Sequence, residues 1–243
     1  MATVSEHYDR LLGPVYSWMV GDAAAAMESN RAELQALGLR PVTTGLAVDL
    51  GAGPGLHAMP LAQLGYTVVA VEGCAALAGE LRLRAGALPV RVVEGDLLHF
   101  REQCEGPVDA ILCMGDTLTH LASHEDVERL LSDVVAALAP SGVFVATFRN
   151  YFSTELVGAS RFLLVRSDET RILTCFLEYA TETVAVHDLL HERLEGRWQL
   201  RVSSYVKLRL APEWLIRQLE AAGLAVQRDT VPGGMVRIVA RRV

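Results

Sequence analysis

The sequence has little lysine and no excess of positive charge. Of its 22 basic residues only Lys207 is a lysine, and 29 acidic residues give the chain a net charge of −7. Non-specific nucleic-acid binding depends on clustered cations that neutralise phosphates. The arginines here are scattered, so we expect no nucleic-acid partner.

The sequence also lacks the patterns of metal-binding, disulfide-rich and membrane proteins. Its four cysteines form no CxxC pair. No apolar run reaches the roughly 18 residues of a membrane-spanning helix. The N-terminus carries Glu6 and Asp9 and does not show the basic segment followed by an apolar segment that is typical of a signal peptide. His187 and His191 would lie about 13 Å apart on a strand, too far for one metal ion. We therefore expect a cytoplasmic protein with no metal and no membrane partner.

Short apolar segments alternate with helical segments over the first 150 residues. This alternation predicts a parallel sheet with helices on both faces. Residues 1–40 are predicted to form a helical arm that precedes the sheet. The predicted strands are 46–50, 67–71, 90–94, 108–114 and 143–147.

Residues 160–210 break this alternation and are predicted to form an antiparallel β insertion. In its last strand Leu200, Val202 and Val206 alternate with polar residues, so we expect a wet face that carries Arg201, Ser203, Tyr205, Lys207 and Arg209. A final helix and two strands would follow. We predict a single domain, 1–243, consisting of the arm (1–40), a cofactor-binding core (41–150), the insertion (160–210) and a terminal segment (211–243).

A glycine-rich turn follows the first predicted strand in AVDLGAGPG (47–55). Three glycines in five positions allow a ligand to approach the backbone closely, beside the free N–H groups of a helix start. A dinucleotide fingerprint would need glycine at position 56, which is Leu56, and Asp49 is acidic where that fold carries an apolar residue. An NAD-dependent dehydrogenase therefore remains only as an alternative.

Acidic residues follow the next two predicted strands. Glu72 lies 19 residues beyond Gly53, where a carboxylate can accept hydrogen bonds from both hydroxyls of a ribose. Asp96 can accept from an exocyclic amino group while Leu97 packs on a base, although Asp96 can equally cap a helix. The fourth strand ends in CMGDTLTHL (113–121), at the sheet edge where ligands bind in open α/β folds.

The series DLGAGPG, VEG, EGD and DAILCMGDTLTHL resembles the motif series of class I S-adenosylmethionine-dependent methyltransferases. The resemblance implies a Rossmann-like sheet of seven strands in the order 3-2-1-4-5-7-6, with the last strand antiparallel. It also implies S-adenosyl-L-methionine as cofactor and S-adenosyl-L-homocysteine as product. The residues implied for cofactor binding are Asp49, Gly51, Ala52 and Gly53 at the methionine part, Glu72 and Gly73 at the ribose, Asp96 and Leu97 at the adenine, and Met114 and Gly115 beneath the sulfonium.

The flanks are similar to those of small-molecule methyltransferases of the glycine N-methyltransferase kind and of natural-product tailoring enzymes. This similarity favours N-methylation of an amine or nitrogen heterocycle over O-methylation, in secondary metabolism. Met114-Gly115-Asp116-Thr117 replaces the asparagine-proline-proline-tyrosine type motif of DNA and glutamine methyltransferases, which argues against those targets. A non-catalytic cofactor-binding sensor or scaffold remains an alternative, and a homodimer is possible.

Several residues outside the motifs are candidates for the rest of the site. Tyr16 and Trp18 could form a lid on the sulfonium by cation–π attraction, or only pack the arm on the sheet. Arg31 could pair with the methionine carboxylate or lie in solvent. His120 and Asp116 are the candidate catalytic residues, as a base or as orienting groups, and His120 could equally be structural. The candidate substrate-lining residues are Tyr8, Asp116, His120, Arg149 and Tyr151.

Overall fold

The main sheet of the computed structural model, which describes residues 1–153, 155–231 and 234–242, has seven strands. Its strands are β1 (Leu46–Leu50), β2 (Thr67–Glu72), β3 (Val90–Glu94), β4 (Val108–Cys113), β5 (Leu138–Arg149), β10 (Leu224–Val231) and β11 (Met235–Arg242). Their order is β3-β2-β1-β4-β5-β11-β10, and β11 runs antiparallel to both β5 and β10. The predicted order and the antiparallel strand are therefore confirmed.

Helices cover both faces of this sheet. On one face α6 (His124–Ala137) and α7 (Pro212–Ala221) bury Leu130 and Leu215, and on the other α4 (Ala58–Gln63) and α5 (Ala75–Ala85) bury Leu61 and Leu81. Each leucine buried in this way contributes about 1.5–3 kcal/mol relative to an exposed one. These helices therefore close both faces of the sheet, and the edge at the ends of its strands stays open.

The N-terminal arm is a series of short helical segments, as Pro14 leads one to expect. It comprises α1 (Val4–His7), a π-turn (Tyr8–Leu12), a 3₁₀ turn (Gly13–Val15), α2 (Tyr16–Val20) and α3 (Ala23–Ala36). Leu11 and Leu12 pack against Leu173 and Leu190 of the insertion. No helix of the described ranges is long and apolar enough to cross a membrane.

The insertion after β5 is a separate four-stranded antiparallel sheet, as predicted. Its order is β6 (Phe162–Ser167), β7 (Arg171–Tyr179), β8 (Thr183–Leu194) and β9 (Arg197–Leu208). Val243, the end of the predicted terminal segment, lies outside the described residues.

The prediction of a wet face on β9 is wrong over the second half of the strand. Tyr205, Lys207 and Arg209 are buried, whereas Leu200 and Val202 are 53% and 56% exposed. Alternation separates the two faces of a strand but does not say which face the rest of the chain covers. Here the polar groups are buried because they find partners: Lys207 donates to Asp116, and Arg209 donates to the carbonyls of Ala180 and Tyr151.

Candidate functional site

A cavity of about 850 Å³ lies at the carboxyl ends of β1 to β4. The turns after these four strands line it on one side, and the arm lines it on the other through residues 2–5, Tyr8 and Tyr16. Parallel strands present their carboxyl ends at one edge, which is why motifs far apart in sequence meet here. The volume is near the upper end of the range of ligand sites, roughly 300–1,000 Å³.

The glycine turn forms the part of the wall that follows β1. Gly51 and Gly53 adopt φ of +67° and +55°, and a Cβ at Gly51 would collide with the side chain of Thr117. The amides of Gly51 and Ala52 both donate to the carbonyl of Val71, at 2.9 and 3.0 Å. The turn is therefore held against β2, and its backbone atoms border the cavity.

Glu72 ends β2 and reaches the same turn. Its Oε2 accepts from the amide of Gly53 at 2.7 Å and its Oε1 from the amide of Cys74 at 2.8 Å. Burial raises the pKa of Glu72, and the amide donors partly oppose that shift. A carboxylate offers about four acceptor positions, so both oxygens can still accept from a ligand in the cavity.

Asp49 is the buried acid next to the glycine turn. It is 1% exposed, and its Oδ2 has no hydrogen-bond partner within the described residues. Burial, together with the charge of Glu72, raises the pKa of Asp49 to about 7. Asp49 lies behind the glycine turn and does not line the cavity. An unpaired buried carboxylate oxygen is costly unless a donor satisfies it, so Asp49 fits a donor reached through the turn, such as the ammonium group that the resemblance assigns to it.

Asp96 and Leu97 line the cavity beyond β3. The Oδ1 of Asp96 accepts from the amide of Leu98 at 2.9 Å and caps the 3₁₀ helix Leu97–Gln103. Its second oxygen takes part in no hydrogen bond of the described structure. Asp96 therefore caps a helix and also offers an acceptor to the cavity, so the two interpretations of this residue are compatible.

Met114, Gly115 and His120 line the cavity at the end of β4. Gly115 has a φ of +70° and open space where a Cβ would be. The ring of His120 lies between Tyr8 and Tyr205, at centroid distances of 5.6 and 5.7 Å. Burial and the charge of Lys207 lower the pKa of His120 to about 3, and its Nε2 has no partner in the described part of the chain. His120 therefore presents a neutral imidazole.

Asp116 lies behind this wall and does not line the cavity. Its Oδ2 accepts from Lys207 Nζ at 2.6 Å and from the hydroxyl of Tyr151 at 3.2 Å, and its Oδ1 accepts from the amide of Arg149 at 2.9 Å. Burial opposes ionisation, but Lys207, His120 and the amide hold the pKa of Asp116 below its usual value. With both oxygens occupied, Asp116 supports the site from outside.

The structure does not bring every candidate residue to the cavity. Trp18 donates from Nε1 to Asp168 at 2.5 Å on the insertion, and Arg31 pairs with Glu28 at 2.7 Å on the solvent side of α3. An i,i+3 pair of this kind lies on one helix face, and that face points away from the cavity. Arg149 and Tyr151 contact Asp116 and do not line the cavity either.

Four residues that line the cavity or lie behind its wall were not predicted as site residues from the sequence. His57 lines the cavity just beyond the glycine turn, and burial lowers its pKa to about 4. His7 and Tyr205 stack at 4.1 Å behind Tyr8, and Lys207 pairs with Asp116. Only Lys207 gave a signal, as the single lysine among many arginines.

Comparison with known proteins agrees with this geometry. Residues 47–142 match the family described as "Methyltransferase domain". A glycine/sarcosine N-methyltransferase of Halorhodospira halochloris is 34% identical over 107 residues, which are 43% of this chain and 40% of that protein. The chain thus spans less than half the length of this curated relative.

Two solved structures share the fold over almost the whole chain. One is the S-adenosylmethionine-bound amino pentose methyltransferase of calicheamicin biosynthesis from Micromonospora echinaspora, with a TM-score of 0.73, 21% identity and coverage of 100% of this chain and 98% of that one. The other is a sugar N-methyltransferase from a Streptoalloteichus species, with a TM-score of 0.74, 18% identity and coverage of 96% and 93%.

The chain has the fold of these methyltransferase structures, as predicted, and residues 47–142, which include the glycine turn at the cavity, match the methyltransferase-domain family.

Proposed function

We propose that the protein transfers a methyl group from S-adenosyl-L-methionine to the nitrogen of a small-molecule amine. The observation that carries the proposal is one cavity whose wall contains the glycine turn, Glu72 and the neutral His120. We also place this reaction in the cytoplasm and in secondary metabolism, following the sequence prediction and the antibiotic-related structural neighbours.

The donor half of the cavity fits the cofactor residue by residue. When bound, S-adenosyl-L-methionine supplies an electrophilic methyl group on a positively charged sulfur. Asp49 would accept from the amino group, Glu72 from the ribose hydroxyls and Asp96 from the adenine amino group. Asp49 is the penultimate residue of β1, Glu72 is the last residue of β2 and Asp96 lies two residues beyond β3, so the sheet largely sets their spacing.

The acceptor half is aromatic and neutral. Tyr8, Tyr16 and His120 surround it, and a His120 with a pKa of about 3 is a weak base at neutral pH. An amine with a free lone pair needs no proton removed before it attacks, so orientation carries the reaction. Well-oriented groups gain up to about 7–11 kcal/mol from positioning alone.

The charge of the lining favours an amine that carries no carboxylate. Within the described residues no arginine or lysine lines the cavity, whereas Glu72, Asp96 and Asp126 do. S-adenosyl-L-methionine already brings one carboxylate into this cavity, where backbone N–H groups would have to bind it. A second carboxylate, on the acceptor, would again find no cationic side chain. We therefore favour an amino sugar, as the names of the structural neighbours suggest, over glycine or sarcosine, which the name of the curated relative specifies.

The test is methyl transfer from labelled S-adenosyl-L-methionine by the purified chain. As acceptors we compare glycine and sarcosine with 3-amino-3-deoxyglucose and a panel of amine-bearing sugars. Binding of S-adenosylhomocysteine and of NAD to the chain is measured by calorimetry. We expect micromolar S-adenosylhomocysteine binding and transfer to an amino sugar only. Transfer to glycine would contradict the acceptor proposal, and binding of NAD alone would replace the reaction with hydride transfer.

We further propose a homodimer formed through the insertion sheet. Strand register places Leu164 and Val202 on one face of this sheet together with Leu200, and these three residues are 66%, 56% and 53% exposed. Exposed apolar side chains that share one face of a sheet favour association. Light scattering should give twice the chain mass, and Val202→Asp should give the monomer. A monomeric parent protein would contradict the dimer.

A further inference from the structure

His7 is a histidine that none of the cavity motifs uses. It is fully buried between the arm and the insertion. Its Nε2 donates to Asp188 Oδ2 at 3.0 Å, and its Nδ1 lies 2.8 Å from Ser203 Oγ. Its ring also stacks on Tyr205, at a centroid distance of 4.1 Å and an interplanar angle of 29°. Every polar atom of this imidazole therefore has a partner on β8 or β9.

The residues on both sides of His7 form cavity wall. Residues 2–5 precede it and Tyr8 follows it, and all of them line the cavity. Tyr8 and Tyr205 are also the two rings that flank His120. The position of His7 thus determines where one side of the cavity and the neighbours of His120 lie.

Apart from apolar packing by Val4 and Tyr8 on the insertion, His7 makes most of the contacts that hold this part of the arm. Of the described side-chain hydrogen bonds made by residues 1–8, only those of His7 reach another element of the fold; Thr3, Ser5 and Glu6 bond within the arm. A helix of four residues such as α1 is not stable by itself. One backbone bond, from the amide of Ala2 to the carbonyl of Ser204 at 2.9 Å, supplements the side-chain anchor.

We propose that His7 is a positioning residue whose contacts with Asp188 and Ser203 hold the arm against the insertion and so retain the cofactor in its cavity. The proposal rests on the cofactor site proposed above. When this anchor is lost, residues 2–8 leave the wall, and a bound cofactor dissociates faster. The buried Asp188, 4% exposed, loses its partner at the same time.

The test compares His7→Ala with Arg10→Ala. Arg10 lies on the same arm with its side chain 74% exposed, and among the described residues it pairs only with Glu6, at 3.9 Å. Arg10→Ala therefore changes the arm without touching the anchor. Removing one partner of a buried hydrogen bond shifts such an equilibrium about 5- to 150-fold. We expect S-adenosylhomocysteine to bind His7→Ala at least fivefold more weakly, through a faster dissociation rate, and Arg10→Ala to bind it as the parent does.

Hydrogen exchange separates an anchor from a general loss of stability. In His7→Ala the amides of residues 2–8 should exchange faster, while those of β1 and β4 stay protected. Asp188→Ala should reproduce the loss of affinity, and the double variant should be no weaker than either single one. His7→Gln, which keeps a donor, should recover part of the affinity.

Two results would overturn the proposal. One is exchange and affinity in His7→Ala equal to those of Arg10→Ala. The other is additive losses from His7→Ala and Asp188→Ala. Failure of the proposed function can be told apart from these results. If the parent protein binds no S-adenosylhomocysteine, hydrogen exchange without ligand still shows whether His7→Ala releases residues 2–8.

Discussion

At the scale of single residues, Glu72 combines two tasks that a substitution can separate. It fixes the glycine turn through Gly53 and offers acceptors to the cavity. Hydrogen bonds to a charged group contribute roughly 1.5–3 kcal/mol, so Glu72→Ala should weaken S-adenosylmethionine binding about 10- to 150-fold in calorimetry. Glu72→Gln, which keeps one acceptor for Gly53 and loses the acceptor for Cys74, is the matched control and should lower the melting temperature less than Glu72→Ala does. Unchanged affinity in both variants would mean that Glu72 does not contact the cofactor.

His120 allows a second prediction at this scale. Because its pKa is lowered to about 3, the imidazole stays neutral from pH 5 to 9 and no acidic limb near pH 6.5 should appear in the profile of kcat/KM. His120→Ala should lower turnover less than about tenfold, below the usual contribution of a general base, and leave cofactor affinity near that of the parent. A thousandfold loss together with a change in the acidic limb would identify His120 as the base.

At the scale of elements, one buried ion pair joins the insertion to the main sheet. Lys207 on β9 reaches Asp116 beyond β4, and both side chains are almost fully buried. Breaking such a pair by removing one partner costs about 3–5 kcal/mol, whereas replacing both partners is often neutral. Lys207→Met should therefore lower the free energy of unfolding by that amount in a denaturant titration.

The double variant Lys207→Met, Asp116→Asn is the control for this prediction. It removes both charges at once and should recover most of the stability that Lys207→Met loses. Equal stability of the parent and Lys207→Met would show that the pair does not hold the insertion in place.

At the scale of the whole molecule, buried acids set the dependence of stability on pH. The folded-state pKa of Asp49 is raised to about 7, so the folded chain binds this proton more tightly than the unfolded one. Stability from Asp49 is then gained as pH falls from about 7 toward its unfolded value near 4 and lost as pH rises. His57 and His120 oppose this gain, because their lowered folded-state pKa values, about 4 and about 3, cost stability as pH falls below their unfolded value near 6.5. The contribution of Asp49 is therefore measured as the free energy of unfolding of the parent minus that of Asp49→Asn, which should be larger at pH 5.5 than at pH 8.

Asp109 contributes to the pH dependence of stability with the opposite sign and limits the gain from Asp49 at low pH. Burial opposes its ionisation, but Thr43 and the amides of Val42 and Gly45 donate to it and lower its pKa. Its stabilisation is present above pH 4 and is lost as pH falls further. Asp49→Asn should keep the acid decline, and the stability difference between the parent and this variant should fall from pH 5.5 to pH 8, as measured by urea titrations. A difference that does not change with pH would show that Asp49 does not contribute to the pH dependence.

The parts of the protein that follow local rules could be predicted from the sequence. Apolar runs and the cap at Ser123, whose hydroxyl accepts from the amide of Asp126, are properties of neighbouring residues. The strand order followed from the resemblance of the motif series, and the motif residues reach one edge because each lies just after a strand. Placing Glu72 and Asp96 at the cavity therefore required no knowledge of distant packing.

The tertiary structure alone decided which distant residues meet. Lys207 lies 91 residues from Asp116, and His7 lies 181 residues from Asp188, so no local pattern could pair them. The alternation in β9 defined two faces, but the position of the insertion over the main sheet determined that the polar face is buried. The physical reason is that propensity and periodicity act within an element, whereas burial and charge pairing depend on what packs against it.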